Sequence, residues 1–167
     1  MDETQIAKAL SKHALTAPLY RGTFAADEIE KEEFRSGIFI LNTAPRRSTG
    51  EHWVLCFIEE KIIYFDSFGV MPLFQGFWKF VGNKTFFFNS KSLQSVDSLK
   101  CGEYCLYFAA KLSAGFTLPE IRKKFTSNTH LNELLLPSLL AKEFPDLGAT
   151  TREGLGCCNI WGNKDSY

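Results

Sequence analysis

Four residues of this chain have the side-chain types that nucleophilic catalysis by a thiol requires: Cys101, His52, Asp66 and Gln94. Cys101 and Gly102 stand directly before an apolar segment with helical spacing, so Cys101 should lie where a loop meets a buried helix. The free amides and positive dipole end of a helix favour the thiolate, which is the nucleophilic form. The thiol alone is weak evidence, because free cysteines are usually small buried hydrophobes and a nucleophile also needs a base.

A predicted hairpin supplies the base and its partner. Residues 53–58 and 61–66 are two runs rich in β-branched and aromatic residues, separated by two glutamates. Because a hairpin folds back on itself, the start of its first strand lies beside the end of its second. His52 and Asp66 should therefore meet, as an imidazole and the carboxylate that fixes its tautomer and stabilises its cation.

Gln94 stands seven positions before Cys101 and completes the set. Its side-chain amide, together with the backbone N–H of Cys101, could donate hydrogen bonds to the oxyanion of a tetrahedral intermediate. Each residue has an ordinary alternative: His52 as a loop histidine, Asp66 as a turn cap and Gln94 as a surface residue. The catalytic interpretation gains weight because the four residues hold complementary roles in one mechanism.

The elements that must position these residues predict a single α+β domain. Its centre is expected to be a mixed, mostly antiparallel β-sheet flanked by helices, with the catalytic cysteine at the start of a buried amphipathic helix. Residues 18–22 are predicted as a loop, and residues 146–167 as a C-terminal tail, flexible or regulatory, that follows a domain over residues 1–145. The predicted strands are 37–42, 53–58, 61–66 and 84–88, and the predicted helices are 2–13, 72–81, 102–113, 118–125 and 131–144.

Composition limits the class of protein. The 167 residues are 45% hydrophobic and 14% aromatic, which suits one domain with a substantial core. Lys+Arg and Asp+Glu are 19 each, and the resulting net charge of zero argues against nucleic-acid binding by the whole surface. No run approaches the ~18 apolar residues of a membrane span, and residues 1–10 lack the layout of a signal peptide. We expect a soluble, intracellular protein whose five cysteines are reduced.

Several spaced motifs resemble the adenovirus-type cysteine proteases (the adenain family), which share a clan with the SUMO- and ubiquitin-like-protein proteases. The resemblance covers residues 17–116, about three fifths of the chain. It implies that Cys101 is the nucleophile, His52 the base, Asp66 the acid that orients the base, and Gln94 the oxyanion donor. The motifs that carry the resemblance are His52-Trp53, Tyr64-Phe65-Asp66-Ser67-Phe68-Gly69, Gln94-Ser95-Val96 and Cys101-Gly102-Glu103-Tyr104-Cys105.

The function that the resemblance implies is a cysteine endopeptidase (a thiol protease, hence a hydrolase) of a virus or virus-like element. Such enzymes mature virion precursors by cleaving after Leu/Ile/Met-x-Gly-Gly or Gly-x sites. A substrate cleft that admits only glycine would explain this preference for glycine at the cleavage site. By the resemblance, Trp53 and Gly102 would line that cleft. Ordinary strand packing is the alternative for Trp53. The alternative functions are a deubiquitinase or deSUMOylase that removes a ubiquitin-like modifier, and a catalytically silent binding module.

The family also implies partners. The chemistry needs no cofactor, but adenoviral members are activated by DNA and by a viral peptide that forms a disulfide with the enzyme. Residues 81–93 contain no cysteine for that disulfide, and zero net charge weakens the case for DNA. The expected partners are protein substrates, such a peptide and weakly bound DNA, with no membrane. We expect a monomer in the virion and in the host nucleus or cytoplasm. Cys157 and Cys158 match no motif and indicate a tail with two reactive thiols or one that acts on the enzyme.

Overall fold

The computed structural model describes residues 1–149 and is built around a five-stranded mixed sheet. The strands are Tyr20–Phe24 (β1), Gly37–Asn42 (β2), Trp53–Ile58 (β3), Ile62–Phe65 (β4) and Phe86–Phe88 (β5). They lie in the order β1-β2-β3-β4-β5. β1 and β2 are parallel, as are β4 and β5, whereas β2–β3 and β3–β4 are antiparallel. The predicted α+β class and mixed sheet are confirmed, but "mostly antiparallel" is wrong, because two of the four pairs are parallel.

Helices cover both faces of this sheet. The helices are Glu3–Lys12 (α1), Gln75–Val81 (α2), Cys101–Ser113 (α3), Leu118–Arg122 (α4) and Thr129–Glu143 (α5). One face of the sheet packs on the core shared with α1, α3, α4 and α5, and the other packs on α2 and a short 3-10 helix at Ile29–Lys31. Since the central strands are covered on both sides, every residue of β2 and β3 is buried, which explains their continuous apolar runs.

The hairpin predicted from the sequence is the pair β3–β4. Its register pairs Leu55 with Phe65 and Ile58 with Ile62, so the beginning of β3 lies at the same end of the sheet as the residue that follows β4. α3 lies across this hairpin, and the ring of its Phe108 stacks on that of Phe65, with centroids 3.7 Å apart. The first residue of α3 is thereby brought to the end of the sheet that carries His52.

Three local predictions need correction. Residues 20–24, of which the first three were predicted as loop, form the edge strand β1; its residues are only half-buried, so no apolar run marks it. α3 is buried on almost every side, not amphipathic, because it lies between the sheet and other helices. α2 begins at Gln75, three residues later than predicted.

The start of the predicted tail belongs to the packed domain. Pro145–Ala149 is a short 3-10 helix, and Leu147 packs against the core on the α3 side of the sheet. The rest of the predicted tail, including Cys157 and Cys158, lies outside the described residues. Within residues 1–149, none of the helices has the length and apolar character needed to cross a membrane.

Candidate active site

The hairpin register brings His52 and Asp66 together. His52 immediately precedes β3 and Asp66 immediately follows β4. The imidazole Nε2 lies 2.8 Å from Asp66 Oδ1, a hydrogen-bond distance at which the ring N–H donates to the carboxylate. The two side chains are 14% and 6% exposed, so the pair is largely withdrawn from water. The juxtaposition predicted from the hairpin is therefore present.

Asp66 is itself held in place by neighbouring backbone and side-chain groups. Its Oδ1 also accepts the backbone N–H of Phe68, at 2.7 Å. The buried Asn89, just after β5, accepts the backbone N–H of Asp66 at 3.0 Å and donates to its carbonyl at 2.5 Å. The ring of Phe68 packs against that of His52, with centroids 4.8 Å apart. The carboxylate and the imidazole are thus held in place by their surroundings.

Cys101 is the first residue of α3 and is 9% exposed. Burial by itself would lower the pKa of His52, but the hydrogen bond to Asp66 and the interactions with Cys101 outweigh it and raise that pKa to about 9. Because Nε2 is engaged by Asp66, Nδ1 is the ring nitrogen left for the thiol. The arrangement places an imidazole that can accept a proton beside a helix-terminal thiol, which is the pairing of base and nucleophile that thiol catalysis requires.

The carboxamide of Gln94 is also held on both sides. Gln94 is 1% exposed, which is inconsistent with the surface-residue alternative. Its Oε1 accepts from Ser67 Oγ at 2.6 Å, and its Nε2 donates to the Ser98 carbonyl at 2.7 Å. One amide hydrogen is used by Ser98, and the second is left to serve another acceptor. Ser67 directly follows Asp66, so the same turn positions the carboxylate and the amide.

Trp53 and Gly102 pack against the N-terminal segment. Trp53 is fully buried, and its indole N–H donates to the Met1 carbonyl at 3.1 Å. A Cβ added to Gly102 would lie 3.0 Å from Met1 Cβ and 3.2 Å from Ile6 Cδ1. The structure therefore shows the packing alternative for Trp53. A role for either residue as a cleft border stays a prediction.

Three supporting residues were missed by sequence reasoning: Ser67, Asn89 and Glu133. Ser67 lies inside a motif that was singled out, and Asn89 follows a predicted strand, so both offered a weak signal. Glu133 lies on α5, far along the chain from Cys101, and nothing in the sequence connects it to the site. In the structure its carboxylate accepts hydrogen bonds from the backbone N–H of Ser95 and from Ser98 Oγ, at 3.1 and 2.7 Å.

The described residues contain no group of three or more His, Cys, Asp or Glu side chains that could hold a metal ion. A comparison with protein-family models finds none that matches this chain, and a comparison with curated proteins finds no match either. The functional argument therefore depends on the geometry of the site and on the resemblance of its motifs.

Proposed function

We propose that this protein is a cysteine peptidase with Cys101 as nucleophile, His52 as general base and acid, and Asp66 as the group that orients the imidazole. The observation that carries the proposal is the position of the His52 ring, which is hydrogen-bonded to the buried Asp66 carboxylate at 2.8 Å and also interacts with the Cys101 thiol. A loop histidine with no catalytic role would not need a buried carboxylate on one side and a helix-terminal thiol on the other.

In the proposed reaction, His52 takes the proton of the Cys101 thiol, and the sulfur attacks the carbonyl carbon of a peptide bond and forms a tetrahedral oxyanion. The Gln94 amide and the backbone N–H of Cys101 donate to that oxygen. The His52 imidazolium then gives its proton to the departing amine, which leaves a thioester on Cys101. Water attacks the thioester while His52 removes its proton, and the acid product and free thiol are released.

The proposed substrates are precursor proteins cut after glycine-containing sites, as in the adenain-type proteases that the motifs resemble. A deconjugating protease acting on a ubiquitin-like modifier would use the same chemistry, so only the substrate separates the two functions. The virus-like source and activation by a peptide or DNA are part of the same proposal and are supported by the resemblance alone.

The test is cleavage of a fluorogenic Leu-Ala-Gly-Gly peptide amide, set beside a ubiquitin-like fusion protein, with and without DNA. Cys101→Ala should abolish cleavage, and Gln94→Ala should lower kcat by about 10²–10³. Cys56→Ala is the matched control, since Cys56 is buried on the opposite face of the sheet. Full activity in Cys101→Ala would overturn the assignment.

The pattern of substrates separates the alternatives. Cleavage of the fusion alone would favour the deconjugating protease. No cleavage of either substrate, together with a Cys101 that does not react with iodoacetamide at neutral pH, would favour the binding module.

A further inference from the structure

We propose that Glu133 on α5 is the positioning residue that holds the oxyanion hole in its catalytic shape. The element it acts on is residues 95–100, called here the oxyanion loop, which joins Gln94 to Cys101. This inference depends on the proposed peptidase function, because it assigns a role in forming the site that stabilises the tetrahedral intermediate.

The carboxylate of Glu133 binds the oxyanion loop at two points. Its Oε1 accepts the backbone N–H of Ser95 at 3.1 Å, and its Oε2 accepts the hydroxyl of Ser98 at 2.7 Å. The side chain is only 12% exposed, so water competes little for these bonds. A single carboxylate thus fixes both the first residue of the loop and its middle.

Ser98 connects this clamp to the oxyanion donor. While its hydroxyl donates to Glu133, its carbonyl accepts Nε2 of Gln94 at 2.7 Å. That bond sets the rotation of the Gln94 carboxamide and hence the direction of its second N–H. If Ser98 turned away, Gln94 would lose the contact that aims the donor.

The far end of the loop is held by the same residue. The Lys100 ammonium donates to the Glu133 backbone carbonyl at 2.9 Å and lies 3.6 Å from Oε2. Lys100 immediately precedes Cys101, whose backbone N–H is the second proposed oxyanion donor. Glu133 therefore contacts Ser98, which holds the Gln94 amide, and Lys100, which precedes the Cys101 N–H.

α5 is a suitable base for such a clamp because it is anchored beside the loop. The side-chain amide of the buried Asn132 donates to the Leu93 carbonyl at 3.0 Å, and the Tyr104 hydroxyl on α3 donates to the same carbonyl at 3.1 Å. Residue 93 is thus bound to both helices just before Gln94. The loop is held between two rigid elements, and Glu133 provides its contacts on the α5 side.

The decisive variant is Glu133→Gln, which keeps the shape but has one acceptor oxygen where two are needed. We expect kcat for the fluorogenic Leu-Ala-Gly-Gly amide to fall about tenfold, less than for loss of a donor itself. KM should stay within about twofold, because the loss falls on the transition state. Glu133→Asp, which retains two acceptor oxygens, should recover part of the rate. Glu143→Gln is the matched control. Glu143 lies at the other end of α5 and pairs with Lys111 on α3, so its replacement should leave kcat unchanged.

Two reagents separate this role from simple loss of structure. Iodoacetamide alkylates the thiolate, displacing iodide without forming an oxyanion, so its rate at Cys101 should be unchanged in Glu133→Gln. A Leu-Ala-Gly-glycinal aldehyde forms a hemithioacetal whose oxygen occupies the oxyanion hole, so its binding should weaken by about the factor lost in kcat. If Glu133→Gln folds poorly, Ser98→Ala removes the hydroxyl that donates to Glu133 and accepts from the Lys100 backbone N–H. It should likewise lower kcat and weaken aldehyde binding while leaving the alkylation rate of Cys101 unchanged.

Equal kcat and aldehyde binding in wild type and Glu133→Gln would overturn the inference while leaving the peptidase intact. An equal loss of alkylation rate and kcat would also overturn it, since Glu133 would then be supporting the fold or the thiolate. An inactive wild type with an unreactive Cys101 would instead overturn the proposed function, and this inference with it.

Discussion

Replacing Asp66 by Asn tests the electrostatic core of the site. The change is nearly isosteric. In the native structure Asp66 Oδ1 lies 2.8 Å from His52 Nε2 and 2.7 Å from the Phe68 backbone nitrogen, and an Asn oxygen could still accept both hydrogen bonds. What disappears is the negative charge. The variant therefore isolates the contribution of charge to the protonation of His52 and leaves the packing largely unchanged.

The expected size of the effect follows from the site. The pKa of His52 is about 9, against an ordinary value of 6.5, which corresponds to about 3 kcal/mol favouring the protonated ring. An opposite charge in contact moves a pKa by about 1 to 3, so Asp66→Asn should lower the pKa of His52 by that amount. Because the folded value lies above the ordinary one, this contribution to folding stability is complete below pH 6.5 and is lost as pH rises through 9.

The measurement is an NMR titration of the imidazole protons. It is tractable because the chain has three histidines, His13, His52 and His130. His52 should titrate near pH 9 in the wild type and well below that in Asp66→Asn. Glu60→Gln removes one carboxylate at the turn end of the same hairpin, and it should leave the titration of His52 unchanged.

Two results would refute the reasoning. One is a wild-type His52 that titrates at or below 6.5, because burial would then dominate over the carboxylate and the thiol. The other is an unchanged titration in Asp66→Asn, because the charge would then have no part in the shift. Thermal unfolding from pH 6 to pH 10 gives an independent check, since the loss of stability through pH 9 should be smaller in Asp66→Asn.

Two further predictions concern the rest of the fold. Gly76→Ala should lower the free energy of unfolding, measured in urea, by at least about 2 kcal/mol, because the new Cβ would lie 1.9 Å from the Ala26 carbonyl oxygen. Gln75 is the exposed neighbour, and Gln75→Ala should be nearly neutral. Similar values for the two variants would contradict the packing of α2. Treatment of the native protein with iodoacetamide at pH 8, followed by mass mapping, should find Cys101 modified and Cys56 and Cys105 unmodified. Burial raises the pKa of Cys56 to about 12 and that of Cys105 well above its usual range. Early labelling of Cys56 or Cys105 would contradict their burial.

The local chemistry of the site could be predicted from the sequence because it depends on short-range patterns. The apolar runs on both sides of Glu59-Glu60 specify a hairpin, and a hairpin necessarily brings the residue before its first strand close to the residue after its second. The pairing of His52 with Asp66 follows from that alone. Likewise, the helical spacing after Cys101 was enough to place the thiol at a helix start.

The pairing of the edge strands could not be predicted from such patterns, although β5 lies within the strand predicted over residues 84–88. β1 pairs in parallel with β2 and β5 with β4, and these pairings connect segments that are distant in sequence and have no turn between them. The residues of β1 are only partly buried and carry little periodicity, so the sequence predicts a loop over part of Tyr20–Phe24. The near-complete burial of α3 likewise depends on neighbours that its own sequence does not specify.

Only the tertiary structure determines how Gln94, the proposed oxyanion donor, is held in place. The sequence presents Gln94 as one polar residue in a polar stretch, and only the fold buries it and bonds its amide to Ser67 and Ser98. Glu133 reaches the same loop from α5, because packing of α5 against α3 brings the two segments together. Residue types and local spacing determine which groups can do the chemistry, whereas the orientation of those groups depends on long-range contacts that form only when the helices close over the sheet.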